Sequence, residues 1–186
     1  MNVQFIAIGA SLGGTAALQT LLPTLPMDWP AVVTLVFHRG QGPGEMLGRF
    51  LAKYSRWPVE EAQDKTPIVP GRLYFAPSDY HLMVEGDHFA LTTEAVVSYA
   101  RPSIDVLFDS VADVYGERAA GVVLTGAGHD GAAGLTAIKE RGGLTLVQSP
   151  ETAECPSMPN AAIATGKVDK ILPLEEIFPF LIKWHK

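Results

Sequence analysis

Apolar positions fall into short runs at residues 3–8, 31–37, 72–76, 119–124 and 144–147, each bounded by glycine, proline or polar residues. Such runs read as buried strands. Several are followed by stretches with a helical period, which predicts helices over 14–22, 44–54, 102–115, 132–141 and 174–184. In the third of these, Ile104, Leu107, Phe108, Val111 and Val114 follow i, i+3, i+4, i+7 spacing, so one face is expected to be buried. Strands that alternate with helices predict an α/β fold: a doubly wound, mostly parallel sheet with helices on both faces. The segment "HLMVEGDHFALTT" breaks that rhythm and reads as a β-hairpin excursion turning at Gly86-Asp87. No repeat, heptad pattern or low-complexity linker interrupts the chain, and the proline-rich "SPETAECPSMP" reads as an internal loop. One domain over residues 1–186 is expected.

Composition narrows the class without changing that picture. A chain of 186 residues, 47% hydrophobic and 18% charged with 18 Gly and 14 Pro, suits a loop-rich α/β protein. At that length it would bury roughly 70% of its unfolded surface. No apolar stretch approaches the roughly 20 residues a membrane span needs, and no leader pattern opens the chain, so no membrane insertion and a cytoplasmic location are expected. A net charge of −6 without a Lys/Arg cluster offers no footprint for a phosphate backbone, which argues against nucleic acid as a partner. The single cysteine, Cys155, cannot form an internal disulfide and has no basic neighbour to activate it.

Candidate chemistry begins at "FIAIGASLGGTAAL", residues 5–18, which fits a strand, a tight turn and a helix start. Two functions use that shape: a phosphate loop, or a G-x-S-x-G turn lifting Ser11 as a nucleophile. A dinucleotide site needs a second glycine where Ser11 stands and an acid at the end of the second strand, which here ends in His38. A Walker loop needs a Gly-Lys-Ser/Thr that is missing. No cofactor or metal is therefore expected. A third strand end, "GVVLTGAGHDGAAG", carries Asp130 between glycines. In an open parallel sheet functional groups gather at the carboxyl ends of strands, so Ser11, His38 and Asp130 share one edge.

Each also has a plainer reading: Ser11 as a helix N-cap, His38 as a polar strand end, Asp130 as a turn residue. Their joint placement favours a Ser-His-Asp triad, with His38 in hydrogen-bond reach of both partners. The remaining histidines fit less well. His81 and His88 fall in the hairpin, His129 adjoins Asp130 with its ring expected to turn elsewhere, and His185 lies at the chain end.

The stretches "IGASLGG", "FH", "PGRLYFAPSDYHL", "RPSIDVLFDSVADVYG", "GVVLTGAGHDGAAGL" and "MPNAAI" together make the chain resemble the catalytic domain of the CheB family of chemotaxis protein-glutamate methylesterases. The resemblance implies Ser11 as nucleophile, His38 as general base and Asp130 as the carboxylate orienting the histidine. It also implies hydrolysis of glutamyl methyl esters on the cytoplasmic domain of methylated chemoreceptors and, in many members, deamidation of glutamines at the same sites. The chain departs from the family pattern at Leu12, at Phe37 and Arg39 around the histidine, at Ala127, and in "TAECPS" before Met158. Members typically carry an N-terminal receiver domain. The first strand here begins at once, so a stand-alone catalytic domain is expected, with regulation left to a separate partner.

The expected chemistry is acyl transfer, with backbone N–H groups after Ser11 and in the 127–130 loop meeting the oxyanion. Two rival classes are a catalytically weak or inactive scaffold that binds a receptor-like helix or serves a non-chemotaxis signalling system, and a phosphate binder using the first loop.

Overall fold

The computed structural model describes residues 3–39 and 44–184. Seven strands form one sheet in the order β3-β4-β2-β1-β7-β8-β9: β1 Phe5–Ala10, β2 Val32–Phe37, β3 Val59–Glu61, β4 Leu73–Phe75, β7 Ala119–Val123, β8 Leu144–Gln148 and β9 Lys170–Leu172. Every pairing in it is parallel. The hairpin is present as β5 His81–Glu85 and β6 His88–Thr92, paired antiparallel apart from the main sheet.

Alternation along the central strands builds two cores. From β1, Ile6, Ile8 and Ala10 enter one, while Phe5 and Ala7 enter the other. The first core is closed by α1 Gly14–Leu21, α2 Gly44–Tyr54 and α6 Leu174–Trp184. The second is closed by α3 Ile104–Tyr115, α4 Ala132–Glu140, α5 Ser157–Ala164 and the hairpin. Strands covered on both faces read as near-continuous apolar runs, which is why β1, β2 and β7 were legible.

Apart from element ends shifted by one or two residues, such as the start of α3 at Ile104 rather than residue 102, sequence reading and structure differ chiefly as follows. The short edge strands β3 and β9 carry exposed or half-buried residues such as Glu60 and Lys170, and so lack an apolar run. The segment read as a loop over 149–159 already contains the first turn of α5. Pro156 stands at its N-cap and Pro159 within its first turn, where no N–H is required. Strand β1 runs to Ala10 rather than residue 8, because Gly9 and Ala10 stay in register with Val36 and Phe37.

The chain winds outward from β1 to β2 and β4, then returns to place β7 on the other side of β1. The reversal falls between β1 and β7. The rule for open α/β sheets places a ligand crevice outside the carboxyl ends of the strands at that point.

Candidate active site

Parallel pairing sets β1 and β2 in step, Ala10 opposite Phe37, and the ladder continues with His38 N donating to Ala10 O at 2.9 Å. Ser11 and His38 are thus the residues that leave the sheet side by side. Ser11 N donates to Thr125 O at 3.0 Å, tying the turn to the end of β7 as well. Thr125 Oγ1 lies 2.9 Å from Leu12 O and from Cys155 N, so one buried hydroxyl joins the Ser11 turn to the loop before α5.

The N-cap of α1 is Gly13, at φ 80°, and no side chain caps it. That turn requires a left-handed residue, which glycine supplies without a Cβ penalty. The capping role open to Ser11 is therefore not the one it takes. Its Oγ has no hydrogen-bond partner among the described residues.

His38 Nε2 lies 2.8 Å from Asp130 Oδ2. The Asp130 carboxylate is 2% exposed and fully engaged. Its Oδ2 also accepts Ile104 N at 2.7 Å, and its Oδ1 accepts Ser103 Oγ and Asp105 N, both at 2.9 Å. Burial pushes this carboxyl up, but the His38 N–H and the amides of Asp105 and Ile104 outweigh it. The net position is below the usual carboxylate value of 3.8. An ionised Asp130 can only accept, so His38 donates from Nε2, and in the neutral imidazole Nδ1 is then the acceptor.

Of the three predicted residues, the structure joins His38 to Asp130 directly and seats Ser11 at the adjoining strand end, without a hydrogen bond from its Oγ to His38 among the described residues. The other histidines divide as follows. His81 is buried, with Nε2 3.1 Å from Ala95 O and Nδ1 accepting Ser103 N at 3.2 Å. His88 faces Asp87 and Glu85 on the hairpin. His129 is exposed on the cleft wall, and His185 lies outside the described residues.

A cleft of about 430 Å³ opens over His38 and Asp130, lined also by Ser98, Tyr99, Ala127 and His129. A second lobe of about 220 Å³ shares His38 and Tyr99 and adds Arg39 and Arg101. Of the positions that depart from the family pattern, Ala127 and Arg39 line this opening, while Phe37 packs against the first core. Leu12 is 57% exposed beside Ser11, Ala127 is exposed on the loop after β7, and Arg39 reaches Glu61 at 3.7 Å.

Sequence reasoning missed Ser103, Asp105 and Thr125. The first two stand at the start of a helix with the small polar and acidic residues typical of such starts. Their partner, Asp130, lies 25 or more residues away, so no local signal pointed to the site. Among the described residues no group of three or more His, Cys, Asp or Glu is arranged to hold a metal ion. No helix of the described residues is long and apolar enough to cross a membrane.

The CheB methylesterase family profile matches residues 6–181. A Leptospira interrogans protein, named provisionally as a protein-glutamate methylesterase/protein-glutamine glutaminase, is 44% identical over 185 residues, covering 98% of this chain and 95% of that one. An Anaeromyxobacter dehalogenans protein-glutamate methylesterase/protein-glutamine glutaminase is 43% identical over 176 residues, 95% of this chain and 52% of its own length. The crystal structure of the Thermotoga maritima CheB methylesterase catalytic domain superposes with a TM-score of 0.94 at 32% identity, covering 99% of this chain and all of that one.

Proposed function

The chain belongs to the CheB methylesterase family, and on that premise we propose that it acts as one catalytic domain hydrolysing glutamyl methyl esters through Ser11, His38 and Asp130. The observation that carries this reading is the 2.8 Å contact of His38 Nε2 with a buried, fully bonded Asp130, beside a serine whose Oγ has no hydrogen-bond partner among the described residues. A histidine held this way has a fixed tautomer and an available base.

Ser11 Oγ attacks the ester carbonyl carbon and passes its proton to His38 Nδ1, while Asp130 stabilises the imidazolium. The developing oxyanion is met by the N–H groups that follow Ser11 and those of the 127–130 loop. Collapse of the tetrahedral intermediate breaks the C–O bond to the methoxy group. That group takes the proton from His38 and leaves as methanol. Water, deprotonated by the same nitrogen, then attacks the acyl-serine and releases a glutamate carboxylate and free Ser11. Glutamine enters the same sequence with ammonia as the leaving group, which matches the second activity in the relatives' names. The substrate is the cytoplasmic part of a methylated chemoreceptor, and the protein works in the cytoplasm.

Ser11→Ala tests the assignment. Methanol release from a methylated receptor fragment and hydrolysis of a simple activated ester should both fall to background. Unchanged turnover of either substrate would place the chemistry elsewhere.

A further inference from the structure

Between the hairpin and α3 the chain makes a tight reversal at Val97–Ala100, closed by Val97 N to Ala100 O at 3.1 Å and Ala100 N to Val97 O at 2.9 Å. Both central residues are left-handed, Ser98 at φ 50° and Tyr99 at φ 63°. Two positive φ values are the signature of a type I′ turn, whose usual occupants are Asn and Gly. A serine and a tyrosine there are strained. The tyrosine is also 96% exposed, so its ring gains nothing from the fold. A costly backbone and an unburied aromatic thus coincide at one residue. That residue lines both lobes of the cleft over His38.

The tip is nonetheless held in place. Ser98 Oγ donates to Asp105 Oδ2 at 3.1 Å, and Arg101 Nη1 donates to Thr93 O and Glu94 O at 2.9 and 3.0 Å. Asp105 in turn accepts the amides of Gly131 and Gly134, next to Asp130. The turn is therefore anchored to the carboxylate pair that also positions His38. A strained conformation persists only where surrounding structure over-determines it, and it clusters where function uses it.

We propose that Tyr99 is a specificity-determining residue that grips the polypeptide on either side of the esterified side chain. The proposal rests on the esterase reading above and names how that site tells a protein from a small ester. With Tyr99 standing between the lobes, one lobe takes the esterified side chain and the other takes a neighbouring stretch of the same polypeptide. The rigid, amphipathic ring covers the segment between them. Tyrosine suits that task because it offers a large contact area at the cost of ordering only two side-chain torsions.

The test compares two substrates and one binding measurement. In Tyr99→Ala, KM for a methylated receptor fragment should rise about tenfold with kcat held within about twofold, and the preference for the fragment over a simple activated ester should fall by the same factor. Tyr99→Phe should restore KM, since the ring and not the hydroxyl makes the contact. Because the side chain is exposed, neither change removes core packing. Fluorescence titration of the fragment onto Ser11→Ala and onto Ser11→Ala/Tyr99→Ala reads the same contact without turnover, and the double variant should bind about tenfold more weakly. Equal binding, or no binding to either, overturns the proposal. So does an unchanged KM, or an equal loss on fragment and small ester. Failure of the esterase reading has a different signature: the fragment binds in a Tyr99-dependent manner but is not hydrolysed by the unsubstituted protein.

Discussion

Asp105 and Asp130 each cap the helix that the other begins. Asp130, just ahead of α4, accepts the Ile104 and Asp105 amides in the first turn of α3 at 2.7 and 2.9 Å. Asp105, in that first turn, accepts the Gly131 and Gly134 amides at the start of α4 at 2.9 and 2.8 Å. Two helix N-termini, each with a partial positive charge, thus meet around two carboxylates. The carboxylate that orients His38 is held by the same bonds that join α3 to α4.

Asp130→Asn should cost far more activity than stability. The asparagine keeps one acceptor oxygen, but its amide nitrogen must face donors among His38 Nε2, Ser103 Oγ and the α3 amides. Leaving one buried donor unpaired costs about 1–3 kcal/mol. Activity should fall by up to about 10⁴-fold, because the histidine loses its tautomer and its counter-charge. Urea unfolding and activated-ester turnover on the same preparation check this, and a variant with near-full turnover would remove Asp130 from the mechanism.

The two carboxylates should also give opposite pH signatures. Asp130 sits below the usual 3.8, so its contribution is fully present above that pH and is lost as pH falls through the lowered native value. Asp105 is raised above 3.8, by burial first and then by the charge of Asp130, against the Gly134 amide. Its ionisation therefore weakens the fold as pH rises from 3.8 through the raised native value. Asp105→Asn keeps an oxygen for Gly131 and Gly134 and removes that charge, so it should gain on the unsubstituted protein as pH rises. Asp130→Asn should fall behind below that range, as pH rises through the lowered native value of Asp130 to 3.8, and keep a constant deficit above it. Melting temperatures from about pH 3 to about pH 7 decide it, and slopes of the same sign would refute the reciprocal capping account.

The residues that make the site were legible to different depths for physical reasons. Ser11, His38 and Asp130 each follow a strand buried on both faces, and such strands announce themselves as apolar runs whose ends can be aligned. The hairpin showed through its alternation around Gly86-Asp87, and α2 and α6 through their helical period. What holds the site together did not show, because it is long-range: Ser103 meets Asp130 across 27 residues, and Thr125 meets Leu12 across 113. Tyr99 was invisible for the opposite reason. Its role comes from a backbone conformation that its residue type disfavours, so local propensity pointed away from it.

Gly126→Ala should cripple turnover with less effect on the fold. A Cβ at this position would run into Met158 Sδ and come within 2.8 Å of Ser11 Cβ. The methionine can swing aside, whereas Ser11 is tied to Thr125 O at 3.0 Å, so the strain falls on the Ser11 turn. A displacement near 1 Å costs about 10²-fold in rate. Overpacking of this kind typically costs about 1–3 kcal/mol. Steady-state kinetics with an activated ester alongside thermal unfolding separates the two, and retained activity would show that the Ser11 turn tolerates movement.

Nucleotides should not bind at the α1 N-terminus, and the reason is electrostatic as well as a matter of missing motif residues. Glu154 is packed against the turn, with its Oε2 only 3.0 Å from where a Gly13 side chain would begin, and Glu175 lines the same hollow. A phosphate placed there would meet a carboxylate at about 4 Å, a repulsion on the order of 4 kcal/mol at the effective dielectric of a protein surface. The helix dipole returns about 0.3–1 kcal/mol, so repulsion wins. Calorimetry with ATP and with NAD should therefore show no micromolar binding. Glu154→Gln alone should not create it, since no lysine among the described residues lines that hollow to hold the phosphate. Micromolar affinity of the unsubstituted protein for either nucleotide would show that Glu154 and Glu175 do not keep phosphate out and would restore the phosphate-loop reading of residues 5–18.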